Sequence, residues 1–307
     1  LFTDAEEIGL MGAELFIKEH PWAKDAKLAL NFEARGSGGS SFMLLETNAG
    51  NAKLIKAFKE ANVPFPTTNS LAYSVYKLLP NDTDLTVLRE FGNINGFNFA
   101  FIGDHFDYHT ANDLPKNLDL ETLAHQGDYL MPLLHYLKDT DLNQLNSDQD
   151  LLYFNLPFGQ FITYPFSWIT PMLVLAFILF FIVVGFGIFK RQLNIKAIFK
   201  GFGPYFLSLI VGGLLVFGLW KFCLFIYPEY PEMLHGFTYN GYSYITAAIL
   251  LSLTVAFFVY HKFYSEEYTA SQFVAPLFFW ILICALLAIG LKGAAYFIIP
   301  AYFGITQ

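Results

Sequence analysis

Two glutamates stand side by side in Asp4-Ala5-Glu6-Glu7. A third closes the apolar run KLALNFE (27–33), and a tyrosine–histidine pair sits in Gly103-Asp104-His105-Phe106-Asp107-Tyr108-His109-Thr110. Each group directly follows a short apolar run: Leu1-Phe2, KLALNF and FNFAFI. Adjacent carboxylates point in different directions, so one can ligate a metal while the other faces a substrate water. Carboxylates with imidazole form the donor set of a hydrolytic zinc centre, three or four protein ligands with one position left for water. Each group also has a plainer reading. A Glu-Glu pair before a helix complements the helix dipole, Glu33 can be a surface strand end, and a histidine in a polar loop can be solvated. Their joint placement after three successive strands raises the metal reading, while spacing alone leaves the plainer readings ahead.

The elements that must position these groups are legible as an alternation. Leu1-Phe2 reads as the end of a strand, Asp4–Glu7 as a turn and Gly9–Glu19 as a helix. Lys27–Glu33 predicts a strand, Gly36–Ser41 (GSGGSS) a flexible loop, Phe42–Glu46 a strand and Ala52–Ala61 a helix. Leu71–Leu79 predicts a helix, Phe97–Ile102 a buried strand and Leu120–Leu137 a long amphipathic helix. Such alternation indicates an α/β sandwich with a mostly parallel sheet. Sites in open α/β sheets form at the carboxyl ends of strands, where all three groups fall.

The charge divides the 307 residues in two. Up to Phe158 there are 22 Asp and Glu against 11 Lys and Arg; from Gly159 there are 4 against 7, within a net charge of −8. An acidic first half argues against nucleic acid as a partner, since phosphate binding needs clustered basic residues. Both cysteines, Cys223 and Cys284, lie in the second half, so the first has neither a disulfide framework nor a cysteine zinc site.

The second half contains four apolar runs long enough for a bilayer core of about 30 Å, Trp168–Phe189, Pro204–Tyr227, Tyr242–Tyr260 and Phe273–Leu291. Ala294–Ile305, interrupted by Pro300, is a candidate fifth. Lys221 can snorkel to the interface from the end of the second run. Lys190, Arg191, Lys196 and Lys200 lie between runs one and two, whereas the next connection carries Glu229 and Glu232. The positive-inside rule puts the basic connection in the cytoplasm and the first half outside it, in a periplasm or a lumen. The chain therefore reads as a multi-pass protein of the lipid bilayer. Residues 1–140 form the soluble domain, 141–166 a linker and 167–307 an all-α transmembrane region.

DAEEIGLMGA resembles the Glu-Glu motif of the zinc aminopeptidase family, which includes bacterial secreted aminopeptidases, glutamate carboxypeptidase II and glutaminyl cyclases. NFEARG, TDLTVLREFG before FNFAFI, and DYHTANDLPKNLD continue the likeness over residues 1 to about 138. A soluble domain followed by spans is similar to the branch of vacuolar membrane proteases and endoplasmic reticulum metallopeptidases. The resemblance implies Glu6 as general base and Tyr108 as hydrogen-bond donor to the oxyanion. It implies Glu7 as ligand of one zinc, and Glu33 and His109 as ligands of the other. It brings Asp113 in as a loop brace, with Asp104, His105 and Asp107 outside the ligand set. Two Zn2+ per complete domain and peptide substrates are implied, with attack of a zinc-activated water on a terminal peptide bond. The family also uses a histidine and a bridging aspartate from before the Glu-Glu motif. The chain is therefore expected to be the later part of a peptidase domain, with a poor metal site by itself. A glutaminyl cyclase-like enzyme and a non-catalytic, peptidase-like membrane receptor are the alternatives.

Overall fold

The structure, a computed structural model, describes residues 1–79, 82–156, 159–233, 237–265 and 269–306. Two compact units emerge, Leu1–Thr170 with Leu287–Tyr296, and Pro171–Leu286 with Phe297–Gln307.

The first unit is built on three strands, β1 (Ala29–Ala34), β2 (Gly38–Glu46) and β3 (Gly96–Gly103), in the order β1-β3-β2. β1 runs parallel to β3, with Asn31 opposite Asn98 and Glu33 opposite Ala100. β2 runs antiparallel to β3. The sheet is thus mixed, not mostly parallel, and the reason is the connection between β1 and β2. Only Arg35, Gly36 and Ser37 separate them, whereas a parallel crossover takes a dozen residues or more. These residues pass over the end of β3 so closely that a Cβ on Gly36 would lie 2.0 Å from the Gly103 carbonyl oxygen. The GSGGSS stretch is therefore not a free loop. Its second half opens β2, with a register shift between Gly38 and Ser41.

Period-two alternation gives the sheet two different faces. Phe97, Phe99, Met43 and Leu45 point into the core, where α2 (Ala52–Glu60) adds Leu54, Ile55 and Phe58 and α5 (Leu120–Leu137) adds Tyr129 and Leu133. Phe99 stacks on Tyr129 at 4.9 Å, and the Tyr129 hydroxyl donates to the Ser41 carbonyl at 2.9 Å. The other face presents Asn31, Glu33, Asn98 and Glu46, and it meets α3 (Ser70–Tyr76) and α4 (Asp84–Gly92). The stretch 141–166, expected as a linker, carries the antiparallel hairpin β4 (Leu151–Asn155) and β5 (Phe161–Pro165), and Tyr153 is fully buried in the same core. α1 (Met11–Glu19) packs beside α4. Leu1 and Phe2 are exposed and form no strand.

Residues 287–296 belong to this unit. The Ser70 hydroxyl donates to the Gly293 carbonyl at 2.8 Å, and Tyr296 stacks on Phe154 at 4.9 Å. A Cβ on Gly293 would lie 2.2 Å from the Ser70 carbonyl oxygen, so only glycine allows this approach.

The second unit contains α6 (Ile169–Phe189), α7 (Ile195–Ile226), α8 (Gly241–Lys262) and α9 (Thr269–Gly290), each long and apolar enough to cross a membrane. Only 6–17% of their most apolar stretches is buried within the described residues, which leaves a large apolar surface of the kind a membrane covers. α7 starts nine residues before the expected Pro204, because the Asn194 side chain caps it by accepting from Lys196 N and Ala197 N. Lys196 and Lys200 thus stand on a helix, and Lys190 and Arg191 on the short connection. The candidate fifth run is broken into a 3-10 turn (Lys292–Phe297) and α10 (Ile298–Ile305). Eight helical residues rise about 12 Å, less than half a bilayer core.

Candidate functional site

The Glu-Glu turn is shaped by the helix that follows it. Gly12 N donates to the Asp4 carbonyl at 3.0 Å, and Leu10 N donates to that of Glu6 at 2.9 Å, so the turn closes over the start of α1. Ala5 takes the left-handed conformation (φ 60°) between Asp4 and Glu6. A Cβ at position 12 would stand 2.3 Å from the Asp4 carbonyl oxygen, which gives the glycine of Glu-Glu-Ile-Gly-Leu-Met-Gly its physical role.

The segment after β3 is a run of turns, with Asp107 N donating to the Asp104 carbonyl and Thr110 N to that of Asp107. Ser37 Oγ donates to Asp107 Oδ2 at 2.6 Å and ties these turns to the β1–β2 connection. Asp104 and His109 are left-handed (φ 51° and 57°). The outcome is that Glu7 meets both aromatic residues. His109 Nε2 lies 2.8 Å from Glu7 Oε1, and the Tyr108 hydroxyl donates to the same oxygen at 3.3 Å.

Glu33 stands on the polar face of β1, where Asn31 Nδ2 donates to its Oε1 at 2.7 Å and to Asn98 Oδ1 at 3.1 Å. Burial pushes the Glu33 carboxyl above its ordinary value; Asn31 opposes this, while Glu6 and Asp84 add to it. Burial also raises Glu6, reinforced by Glu7 and Asp84 and opposed by Arg35 and His109. The Tyr108 hydroxyl is pushed up to about 12, by burial first and the Glu7 charge second. Tyr108, His109 and Glu7 are thus in contact, Glu6 lies within their field, and Glu33 is coupled to Glu6 through space while bonding to Asn31.

The donor types suit zinc, but their arrangement is incomplete. Among the described residues no three His, Cys, Asp or Glu side chains converge as a metal ion would require. Glu7 and His109 supply one carboxylate–imidazole pair.

Two charged residues that sequence reasoning passed over belong here. Arg35 follows Glu33 and its charge reaches Glu6, Glu33 and Tyr108. Asp84, at the start of α4, is buried; Thr3 donates to its Oδ2, and its Oδ1 has no hydrogen-bond partner. Its signal was Asp84 in TDLTVLREFG, masked because an acid in a first helical turn is ordinary. Beside Glu33 and Arg35 opens a cavity of about 410 Å3 with apolar walls, among them Phe42, Leu44, Leu71 and Val75.

The sequence of this region matches the model of peptidase family M28 over residues 1–134. The chain is 32% identical over 188 residues to endoplasmic reticulum metallopeptidase 1 of Rattus norvegicus, covering 59% of this chain and 21% of that protein. It is 33% identical over 144 residues to the protein of that name from Homo sapiens, covering 46% and 16%. It is 37% identical over 124 residues to the vacuolar membrane protease of Debaryomyces hansenii, covering 40% and 12%. The chain thus spans about a fifth or less of these relatives' length. No solved structure matches the chain. The likeness to the rat protein extends over more residues than the family model matches.

Proposed function

We propose that the whole protein is a membrane-anchored, zinc-dependent exopeptidase, an aminopeptidase acting on peptides on the extracytoplasmic side. The observation that carries this is the meeting of the Glu6-Glu7 turn with Tyr108 and His109, four residues from two distant segments. Glu7 and His109, with Glu33, are the residues that would hold zinc, which when bound supplies a Lewis acid and a water of lowered pKa.

The chain's own groups have the matching properties. Glu6, raised by burial and by Glu7, is a stronger base than an ordinary carboxylate, the direction that suits a group taking up and returning a proton. Tyr108, with its hydroxyl at about 12, stays protonated and can donate a hydrogen bond to a developing oxyanion. The apolar cavity beside Glu33 suits an apolar substrate side chain. The basic stretch Lys190–Lys200 supports a cytoplasmic connection between α6 and α7, and hence an extracytoplasmic M28 segment.

The test is hydrolysis of aminoacyl-coumarin substrates by the whole protein in lipid nanodiscs, with bound zinc counted by atomic emission. Zinc-loaded protein that turns over none of a panel of such substrates would sink the peptidase reading. A single retained zinc with cyclisation of N-terminal glutamine would replace it by the cyclase alternative.

A further inference from the structure

A cavity of about 910 Å3 in the second unit lies between α6, α9 and α10. Phe180, Val183 and Phe186 of α6, Leu277 and Trp280 of α9 and Gly304 of α10 form its apolar walls, and Gln192 stands at one end. Its size is within the range of small-molecule sites, roughly 300–1,000 Å3. Along α6 it runs from Phe180 to Gly187, about 10 Å of helix axis, which is a third of a hydrocarbon core.

The end at Gln192 is the basic end. Lys190 and Arg191 directly precede Gln192, and the Lys190 ammonium lies 5.5 Å above the ring of Phe186, itself part of the cavity wall. Lys196 and Lys200 follow on the first turns of α7. Asn194 N donates to Ser271 Oγ at 2.9 Å, which fixes this connection to the start of α9. Lys262 ends α8, whose chain then runs through Glu266 and Glu267, outside the described residues, to α9. Even with both glutamates counted, the residues joining these helix ends carry five basic against two acidic side chains.

An apolar cavity lined by Gln192, with the Lys190 ammonium over its Phe186 wall and Arg191 next in the chain, matches an amphiphile with a lipid tail and an anionic head. We propose that this cavity binds one anionic glycerophospholipid, with an acyl tail between α6, α9 and α10 and its phosphate at Lys190 and Arg191. A zwitterionic head would bring its own ammonium against the same two cations, so the site discriminates by charge. An uncharged tail alone would leave the rim unused.

Trp280 in the cavity wall is the probe. The chain, with Trp22, Trp168 and Trp220 replaced by phenylalanine, is placed in phosphatidylcholine nanodiscs containing tail-brominated phosphatidylglycerol or tail-brominated phosphatidylcholine. Quenching of Trp280 should saturate at about thirtyfold lower mole fraction of the brominated glycerol lipid, the ratio expected when two cations act on a net negative charge that the choline head lacks. Lys190→Gln with Arg191→Gln should erase that ratio, and Val183→Phe, which fills the cavity, should reduce quenching by the glycerol lipid. Equal quenching by both lipids overturns the proposal. So does a charge preference that survives Val183→Phe, which means surface attraction only, and so does absence of quenching, which means a protein segment covers the cavity. Circular dichroism confirms that each variant is helical, and native mass spectrometry of the unsubstituted chain must show one retained phosphatidylglycerol.

Discussion

The two units hide apolar side chains from water by opposite means. In the first, Phe97, Phe99, Phe58 and Tyr129 turn inward and are almost wholly buried. In the second, Phe181, Phe186, Leu214 and Phe257 are 57–74% exposed, and at two points small residues bring the helices close. Gly201 sits so close to Gln272 that a Cβ would lie 2.6 Å from its carbonyl oxygen, and Gly212 faces Ser252. An aqueous core gains from removing apolar surface from water, whereas helices in lipid gain from close backbone approach. The site groups belong to the first regime, where burial also shifts their proton affinities.

The largest effect should fall on chemistry. Glu6→Gln should lower aminoacyl hydrolysis by the whole protein by about 10²–10⁴-fold while zinc content stays unchanged, as measured by turnover and metal analysis. Loss of zinc together with activity would instead make Glu6 a ligand. Next comes the contrast between the cores. Phe99→Ala should cost the first unit about 3–5 kcal/mol in urea unfolding, whereas Phe181→Ala on the lipid-facing side of α6 should leave that transition unmoved. Equal losses would erase the distinction drawn above.

A subtler effect concerns the turn. Gly12→Ala forces a Cβ against the Asp4 carbonyl and should cost about 1–3 kcal/mol. It should also weaken the contact of Glu7 with His109, which chemical-shift perturbation of the imidazole would report. The smallest effect is on pH dependence with metal chelated. Glu33 and Glu6 are raised in the folded protein above the ordinary 4.5, so the native state holds more protons than the unfolded one. Stability should therefore fall as pH rises from about 4.5 through the raised values. Glu33→Gln should flatten this slope in unfolding curves taken at successive pH values, and an unchanged slope would remove Glu33 from the effect.

The local elements were legible in the sequence wherever their period was strong. Leu120–Leu137 is a helix over those same residues, and FNFAFI is the central strand. The direction of β2 was not legible from hydrophobic pattern, because alternation is the same in either direction. The clue was the three-residue connection, concealed by reading GSGGSS as a free loop. At the site, type and spacing singled out the segments Asp4–Glu7 and Gly103–Thr110, and the family resemblance picked Glu7, Tyr108 and His109 within them; the structure puts those three in contact. Asp84 and Arg35 were not, because their influence is through-space and depends on which strands neighbour each other. The start of α7 was set back by Asn194, a cap that a search for apolar runs passes over.

The bond from Ser70 to Gly293 joins positions 223 residues apart. Domains form in the order of synthesis, at about 5–20 residues per second, so this contact waits roughly 10–45 s after Ser70 is made. All four apolar helices are synthesised in that interval. The surface around Ser70 and Phe154 is therefore the last part of the first unit to close, and it is open to chaperones and proteases for as long as insertion takes.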